Sequence, residues 1–149
     1  MTAVDLLFFA LTLAAALGSG LMAGVFFAFS TFVMRALARR PSAEAIAAMQ
    51  SINVAVLNPW FLGVVFGTAA AGSFALIGAI MHWDKPGVVS LFAGSALYLL
   101  GTFLVTIAFN VPLNNSLAAV APGDLDGPQK WGDYLKSVAM RIPAQSELQ

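Results

Sequence analysis

The chain has 149 residues, 60% of them hydrophobic and 9% charged, and its seven basic and seven acidic side chains cancel. Soluble domains run about 25% charged, so this composition cannot cover a globule in water and points to a surface that faces lipid. Balanced charge without a basic patch excludes nucleic acid as a partner, and the absence of cysteine excludes disulfides, thiolate metal sites, cysteine nucleophiles and thioether-linked haem.

The first predicted element is the 29-residue run from Leu6 to Met34, which carries no formal charge. About 20 apolar residues cross a bilayer. No Lys or Arg precedes the run and it exceeds the apolar core of a signal peptide, so it reads as a retained span rather than a cleaved leader. Between Pro41 and Leu57, Ser42 is placed to cap a helix and Glu44 falls in its first turn. Ile46, Met49, Ile52 with Asn53, and Val56 share a stripe, which predicts a short amphipathic helix at the interface or tucked under the bundle.

The second span is Pro59 to Met81, 23 residues without charge, with Asn58 as N-cap, Pro59 at the first helical position and His82 to Lys85 closing it. The third runs from about Gly87 to Phe109, opened by Pro86 and interrupted at Asn110-Val111-Pro112. The short link between the second and third makes them an antiparallel hairpin. Residues 122–128, with two Gly-Pro or Pro-Gly pairs, read as a loop, and Gln129 to Met140 as a further short helix. The expected fold is all-α, an integral membrane helical bundle. Its three transmembrane helices cover about 6–34, 59–81 and 87–109, with short interfacial helices, over residues 1–121. A polar tail, 122–149, follows.

Six of the seven basic residues set the orientation. Arg35, Arg39 and Arg40 follow the first span, and Lys130, Lys136 and Arg141 follow the third; only Lys85 lies opposite. The excess of Lys and Arg in cytoplasmic segments places the N-terminus outside and the C-terminus in the cytoplasm of an inner or plasma membrane.

No Asp, Glu, Lys, Arg or His lies within the spans. Proton relays, ion paths and embedded metal sites normally need such groups, and the one histidine, His82, sits beside Trp83 at an interface. Ala16, Gly20, Gly24 and Ala28 form a small-residue ladder on the first span. It serves tight packing inside the bundle, or a partner transmembrane helix or second copy docked on the Gly20/Gly24 face. Phe26, Phe27, Phe29 and Phe32 gather at the end that Phe61 and Phe66 share, as a lipid-facing belt or the wall of an aromatic pocket.

Amides remain. Asn53, Asn58, Asn110, Asn114 and Asn115 fall at the cytoplasmic ends of the helices, with Arg35 at the same level. Capping and inter-helix hydrogen bonds account for such residues; the same donors also suit a carbonyl or phenolate oxygen. The hydroxyls of Ser30, Thr31, Thr102 and Thr106 are expected to bond back to their own helices.

Three pieces carry a family resemblance. Met22-Ala-Gly-Val-Phe-Phe-Ala-Phe-Ser30 with Val33-Met34-Arg-Ala-Leu37 is the first, and Ala48-Met-Gln-Ser-Ile-Asn53 with Asn58-Pro59-x-Phe61 the second. The most specific is Phe109-Asn110-Val-Pro112-Leu-Asn114-Asn115-x-Leu117. In order and spacing, from about residue 15 to 120, the chain resembles the anthrone oxygenase-like (DUF1772) membrane proteins. The resemblance implies a four-helix membrane bundle, oxidation of an anthrone to an anthraquinone with molecular oxygen, and no established metal or organic cofactor. It makes Asn53, Asn58, Asn110, Asn114 and Arg35 the candidate donors to a substrate oxygen, and a flat aromatic small molecule the ligand. Trp131-x-x-Tyr134 begins the family's next motif, but no apolar run long enough to form the family's fourth helix follows it in this sequence. Three functions stay open on this reading: a cofactor-independent oxygenase, a non-catalytic accessory subunit of a larger membrane complex, and a lipid- or quinone-binding protein.

Overall fold

The computed structural model describes residues 3–84, 86–121 and 124–139. Lys85, Pro122, Gly123 and residues 140–149, Arg141 among them, lie outside the described residues. Among the described residues the fold is all helical, and three helices are long and apolar enough to cross a membrane: Asp5–Ala38, Pro59–Met81 and Val88–Ala118.

The first of these is α1 (Ala3–Ala28), a π-helical stretch (Phe29–Val33) and α2 (Met34–Ala38). Then come α3 (Ser42–Ala55) and α4 (Pro59–Met81). The third long helix is α5 (Val88–Ala96), two π-helical stretches (Leu97–Leu104 and Thr106–Asn110) and α6 (Val111–Ala118); α7 (Gly127–Ala139) closes the described chain.

Several boundaries depart from the sequence reading, each for a local reason. Pro41, in extended backbone, is the N-cap of α3, and Ser42 is its first helical residue with no capping bond. Proline's fixed φ and the missing donor start the helix one residue earlier than a serine cap would. Asn58 does cap α4, accepting from the Phe61 N–H at 3.0 Å, with Pro59 in the first turn. Pro86 does not itself open α5. Gly87 is its N-cap at φ 81°, a left-handed conformation that a side chain would strain.

The third long helix is not interrupted at Asn110-Val111-Pro112 but runs on to Ala118. Pro112 falls in the first turn of α6, directly after a π-helical stretch. A π-turn already shifts the hydrogen-bond ladder by one residue, so a residue lacking N–H is tolerated where the ladder returns to α-helical register.

Two compact units emerge. One comprises the chain up to Val25 and Leu57–Phe109; the other comprises Phe26–Val56 and the chain from Asn110 onward. In the first, α4 packs against α5 and the π-helical stretch after it, and its buried residues include the small Ala71, Gly72, Ala75 and Ala79. The Tyr98 hydroxyl donates to the Val65 carbonyl at 3.0 Å across this pair. Helices α1 and α4 meet where Gly18 faces Thr68 and Gly78 faces the Phe8 ring. The partners step in opposite directions along the two helices, so the pair is antiparallel. A Cβ at Gly18 or Gly78 would overlap its neighbour, whereas one at Gly20 or Gly24 would meet nothing within 4 Å. Among the described residues nothing packs against Gly20 or Gly24, contrary to one of the two uses expected of the ladder. The glycines that let backbones approach are the ones that face a β-branched or aromatic partner.

The second unit has its own core: Met34, Ala45, Ile46, Met49, Leu117, Val120, Trp131 and Tyr134, flanked by Phe29, Leu37, Ile52 and Leu113. Ile46 and Met49 belong to the predicted stripe of α3, and α7 buries the Trp131 and Tyr134 side of its amphipathic surface. Burying such side chains contributes about 1.5–3 kcal/mol each. Gln50 ties the layers together, its Nε2 donating to the Leu117 and Val120 carbonyls at 2.9 and 3.0 Å. These carbonyls lie at and just past the end of α6, where the Leu117 carbonyl also accepts from the Val120 N–H at 3.1 Å.

Candidate functional site

The sequence reading singled out five donors. Four of them, Arg35, Asn53, Asn110 and Asn114, belong to the second unit, and Asn58 to the first. Hydrogen bonds join none of those four to one another; each has its own surroundings.

Asn114 is half-buried on α6, and its Oδ1 accepts from the Tyr134 hydroxyl at 2.9 Å. That bond links α6 to α7 and leaves the Asn114 amide N–H groups as donors to anything else. Tyr134 is itself buried, stacked on Trp131 with ring centroids 5.5 Å apart and planes 14° apart. Burial pushes its phenol up to about 12, so it stays a neutral donor across the physiological range. Asn110, one turn before Asn114 on the same continuous helix, is half-buried at the end of a π-helical stretch. Such stretches recur at functional sites because they re-aim side chains that a regular helix would place elsewhere.

Asn53 stands apart. It lies near the end of α3, half-buried as a residue, yet its Nδ2 is fully buried and has no hydrogen-bond partner. An unpaired buried donor costs about 1–3 kcal/mol. Arg35 is exposed on α2. Of the four hydroxyls expected to bond back to their own helices, three do: Ser30 to Phe26 and Thr31 to Phe27 at 2.6 Å each, and Thr106 to Thr102 at 2.7 Å.

The start of α7 is pinned by charge. Lys130 Nζ lies 2.7 Å from Asp124 Oδ2, and Asp124 Oδ1 accepts from the Asp126 N–H at 3.0 Å. The Lys130 hydrogen bond holds the Asp124 carboxyl below its usual range, and Asp124 in turn raises Lys130. Between α6 and α7 lies a cavity of about 270 Å³ lined by Leu113, Ser116, Leu117, Lys130, Asp133, Tyr134 and Ser137.

In the first unit, Asn58 spends its Oδ1 on the cap of α4. It also lines an open groove of about 340 Å³ with Leu21, Met22, Val25, Trp60, Phe61 and Val64. The phenylalanines expected at this end have different local surroundings within the two units. Phe61 lines the groove, Phe66 packs edge-on to Phe103 at 5.7 Å, Phe29 joins the core of the second unit, and Phe27 and Phe32 are exposed.

Sequence reasoning passed over three residues that the structure brings forward. Tyr134 was legible only as half of Trp131-x-x-Tyr134, whose i, i+3 spacing puts both rings on one face of a helix. Trp60 lay hidden inside the Asn58-Pro59-x-Phe61 motif. Tyr98 stood in an otherwise apolar run with no signal of its carbonyl partner 33 residues away.

Comparison with known proteins finds one family. The model of the family described as anthrone oxygenase matches residues 59–139, just over half of the chain, from the start of α4 to the end of α7. No curated protein and no solved structure matches.

Proposed function

Because the chain belongs to the anthrone oxygenase family, we propose that this integral membrane protein oxidises an anthrone-type polycyclic ketone with molecular oxygen, without a resident metal or organic cofactor. The methylene carbon of an anthrone loses a proton to give an enolate. The enolate carbon passes an electron to oxygen and bonds to it, the peroxide anion takes up a proton in place of the one lost, and the resulting hydroperoxide eliminates water. Anthrone and O2 thus become anthraquinone and water, with one oxygen atom retained on carbon and the other leaving in the water. The protein's task is to favour the enolate by placing donors at its oxygen.

The observation that carries this reading is the unspent donor of Asn53, buried without an acceptor. Donors fixed before charge develops, in surroundings that exclude water, are what an oxyanion site requires. Asn110 and the amide N–H groups of Asn114 are the further donors. Asn58 is a cap first, and Arg35, being exposed, supplies charge at longer range.

The test is Asn53→Leu in purified protein given an anthrone and oxygen, with quinone formation followed against a no-protein control. Loss of one oxyanion donor costs roughly 10²–10³ in rate. The same change removes an unpaired buried donor, so the melting temperature is expected to hold or rise. A lowered melting temperature, with activity intact, would assign Asn53 a structural role only.

One observation favours a second reading, a non-catalytic subunit of a larger assembly. Ala16, Gly20 and Gly24 are exposed on α1, and among the described residues nothing comes within 4 Å of where a Cβ on either glycine would stand. Small residues on a membrane helix suit a partner helix from another chain. No acceleration of anthrone oxidation by the intact protein with its native membrane partners would put this reading first. In either case we read the N-terminus as outside and the C-terminus as cytoplasmic, because six of the seven basic residues follow the first and third spans.

A further inference from the structure

We infer that Tyr134 is a positioning residue: its hydroxyl holds the Asn114 amide with the N–H end free, as a donor for the oxygen on which negative charge develops. The inference rests on the oxyanion chemistry proposed above and names what orients one of its donors.

A primary amide is nearly symmetric in shape, so a half-buried asparagine can offer either its oxygen or its N–H groups to a ligand. Only the N–H groups stabilise an oxyanion; the amide oxygen repels it. Something must choose between two orientations related by a half-turn. Here the phenol chooses. Tyr134 is 6% exposed, and among the described residues its hydroxyl has one partner, Asn114 Oδ1 at 2.9 Å. A buried O–H without an acceptor is costly. Were the amide turned over, the phenol oxygen would accept from Nδ2 and its own proton would have nothing to bond. The proton demands Oδ1, and Nδ2 is left to donate elsewhere.

The phenol is itself held in place. Its ring stacks on Trp131, which is 5% exposed, with planes 14° apart. Three residues beyond Asn114, the Leu117 carbonyl accepts from Gln50 Nε2 at 2.9 Å, which ties α6 to α3. The Tyr134–Asn114 bond therefore joins two anchored side chains before any charge appears, as an oxyanion donor requires. A bond accepted by Oδ1 also polarises the amide and strengthens its N–H groups as donors. Burial pushes the phenol up to about 12, so its proton is present through neutral and mildly alkaline pH.

Phenylalanine at this position keeps the ring but loses the selector. A carbonyl oxygen gains nothing from an aromatic face, whereas an N–H does. The amide then turns over and presents its oxygen to the anion.

The probe is 2-naphthol, whose ionised oxygen stands in for the developing oxyanion. It is bound to the intact protein in phosphatidylcholine nanodiscs and titrated by its naphtholate absorption. Wild type is expected to lower the ionisation midpoint relative to empty nanodiscs. Tyr134→Phe should raise that midpoint by about one pH unit, equivalent to a tenfold loss. It should lower kcat for anthrone oxidation about tenfold at unchanged KM, short of the roughly 10²–10³ of a donor lost outright. Asn114→Asp still accepts from Tyr134 but carries no N–H, so it should stay folded and lose the full donor. In that background Tyr134→Phe should cost no further activity per folded protein.

A Tyr134→Phe protein within about twofold of wild type in both midpoint and kcat, the most a freely turning amide loses, would overturn the inference. So would an equal fall in the Asn114→Asp background, which would assign Tyr134 to core packing alone. Full activity in Asn114→Asp, or a wild-type midpoint no lower than in empty nanodiscs, would overturn it as well. Because the titration needs no turnover, a midpoint that depends on Tyr134 and Asn114 without anthrone oxidation counts against the oxygenase reading alone. Oxidation indifferent to both residues counts against the positioning role alone.

Discussion

Adding a single methyl group at Gly18 separates the two sets of glycines on α1. The Cβ of Gly18→Ala would overlap Thr68 Oγ1, and Thr68 cannot turn aside freely, because its Cβ and Cγ2 lie 3.0 and 3.1 Å from the same point. Overpacking a tight contact costs about 1–3 kcal/mol, and this overlap belongs at the upper end. Alanine recovers roughly 0.5–1 kcal/mol of helix preference over glycine. The net loss is about 2 kcal/mol, a fall of roughly 4–8 °C in melting temperature for a chain of this size. Gly24→Ala meets nothing within 4 Å and carries only the helix preference, so its melting temperature should hold or rise. Melting in mild detergent, followed by far-ultraviolet circular dichroism, reads both. A Thr68→Ala background removes Oγ1 and Cγ2 but leaves the Cβ at 3.0 Å, so it should rescue Gly18→Ala in part. Equal shifts for Gly18→Ala and Gly24→Ala, or no coupling between positions 18 and 68, would refute the helix register given for α1 and α4.

Two further outcomes follow from single residues. Tyr134 holds its proton to about 12 when folded, against 10.0 for an unburied phenol. The folded state therefore binds that proton more tightly, and the associated stability is full below pH 10 and lost as pH rises from 10 toward 12. Denaturation midpoints at pH 9 and pH 11 should fall further apart in wild type than in Tyr134→Phe; equal separations would show that another group dominates. Orientation is tested by Asp84→Cys and Lys136→Cys, both exposed positions in a protein without native thiols. An impermeant external reagent should label Asp84→Cys alone, and labelling of Lys136→Cys alone would invert the topology.

Much of this molecule was decided by the sequence without help from tertiary contacts. Charge-free runs of 23 residues or more must bury their backbone polar groups in helices once they enter lipid. That requirement defined the three spans, and Asn58-Pro59 marked the start of the second as a local cap. The stripe of Ile46 and Met49 marked the buried face of α3, because helical periodicity is a property of neighbours in sequence. The motifs around Asn53, Asn110 and Trp131-x-x-Tyr134 likewise pointed to the anthrone oxygenase family before any contact was known.

Only the tertiary structure decided which of several equivalent residues meet a partner. Gly18 and Gly20 look alike in sequence, yet one faces Thr68 and the other faces open space, since helix rotation about its axis depends on the neighbouring helix. The passage of the third helix through Pro112 required π-helical turns whose register is set by packing along the whole span. The amides, which sequence grouped as a cluster, separated by what each can reach. Asn58 caps a helix and Asn114 holds Tyr134, twenty residues away, while Asn53 keeps a buried donor with nothing to bond. Hydrogen bonding is short-ranged and directional, so a shared level along the membrane does not determine a shared partner; the fold does.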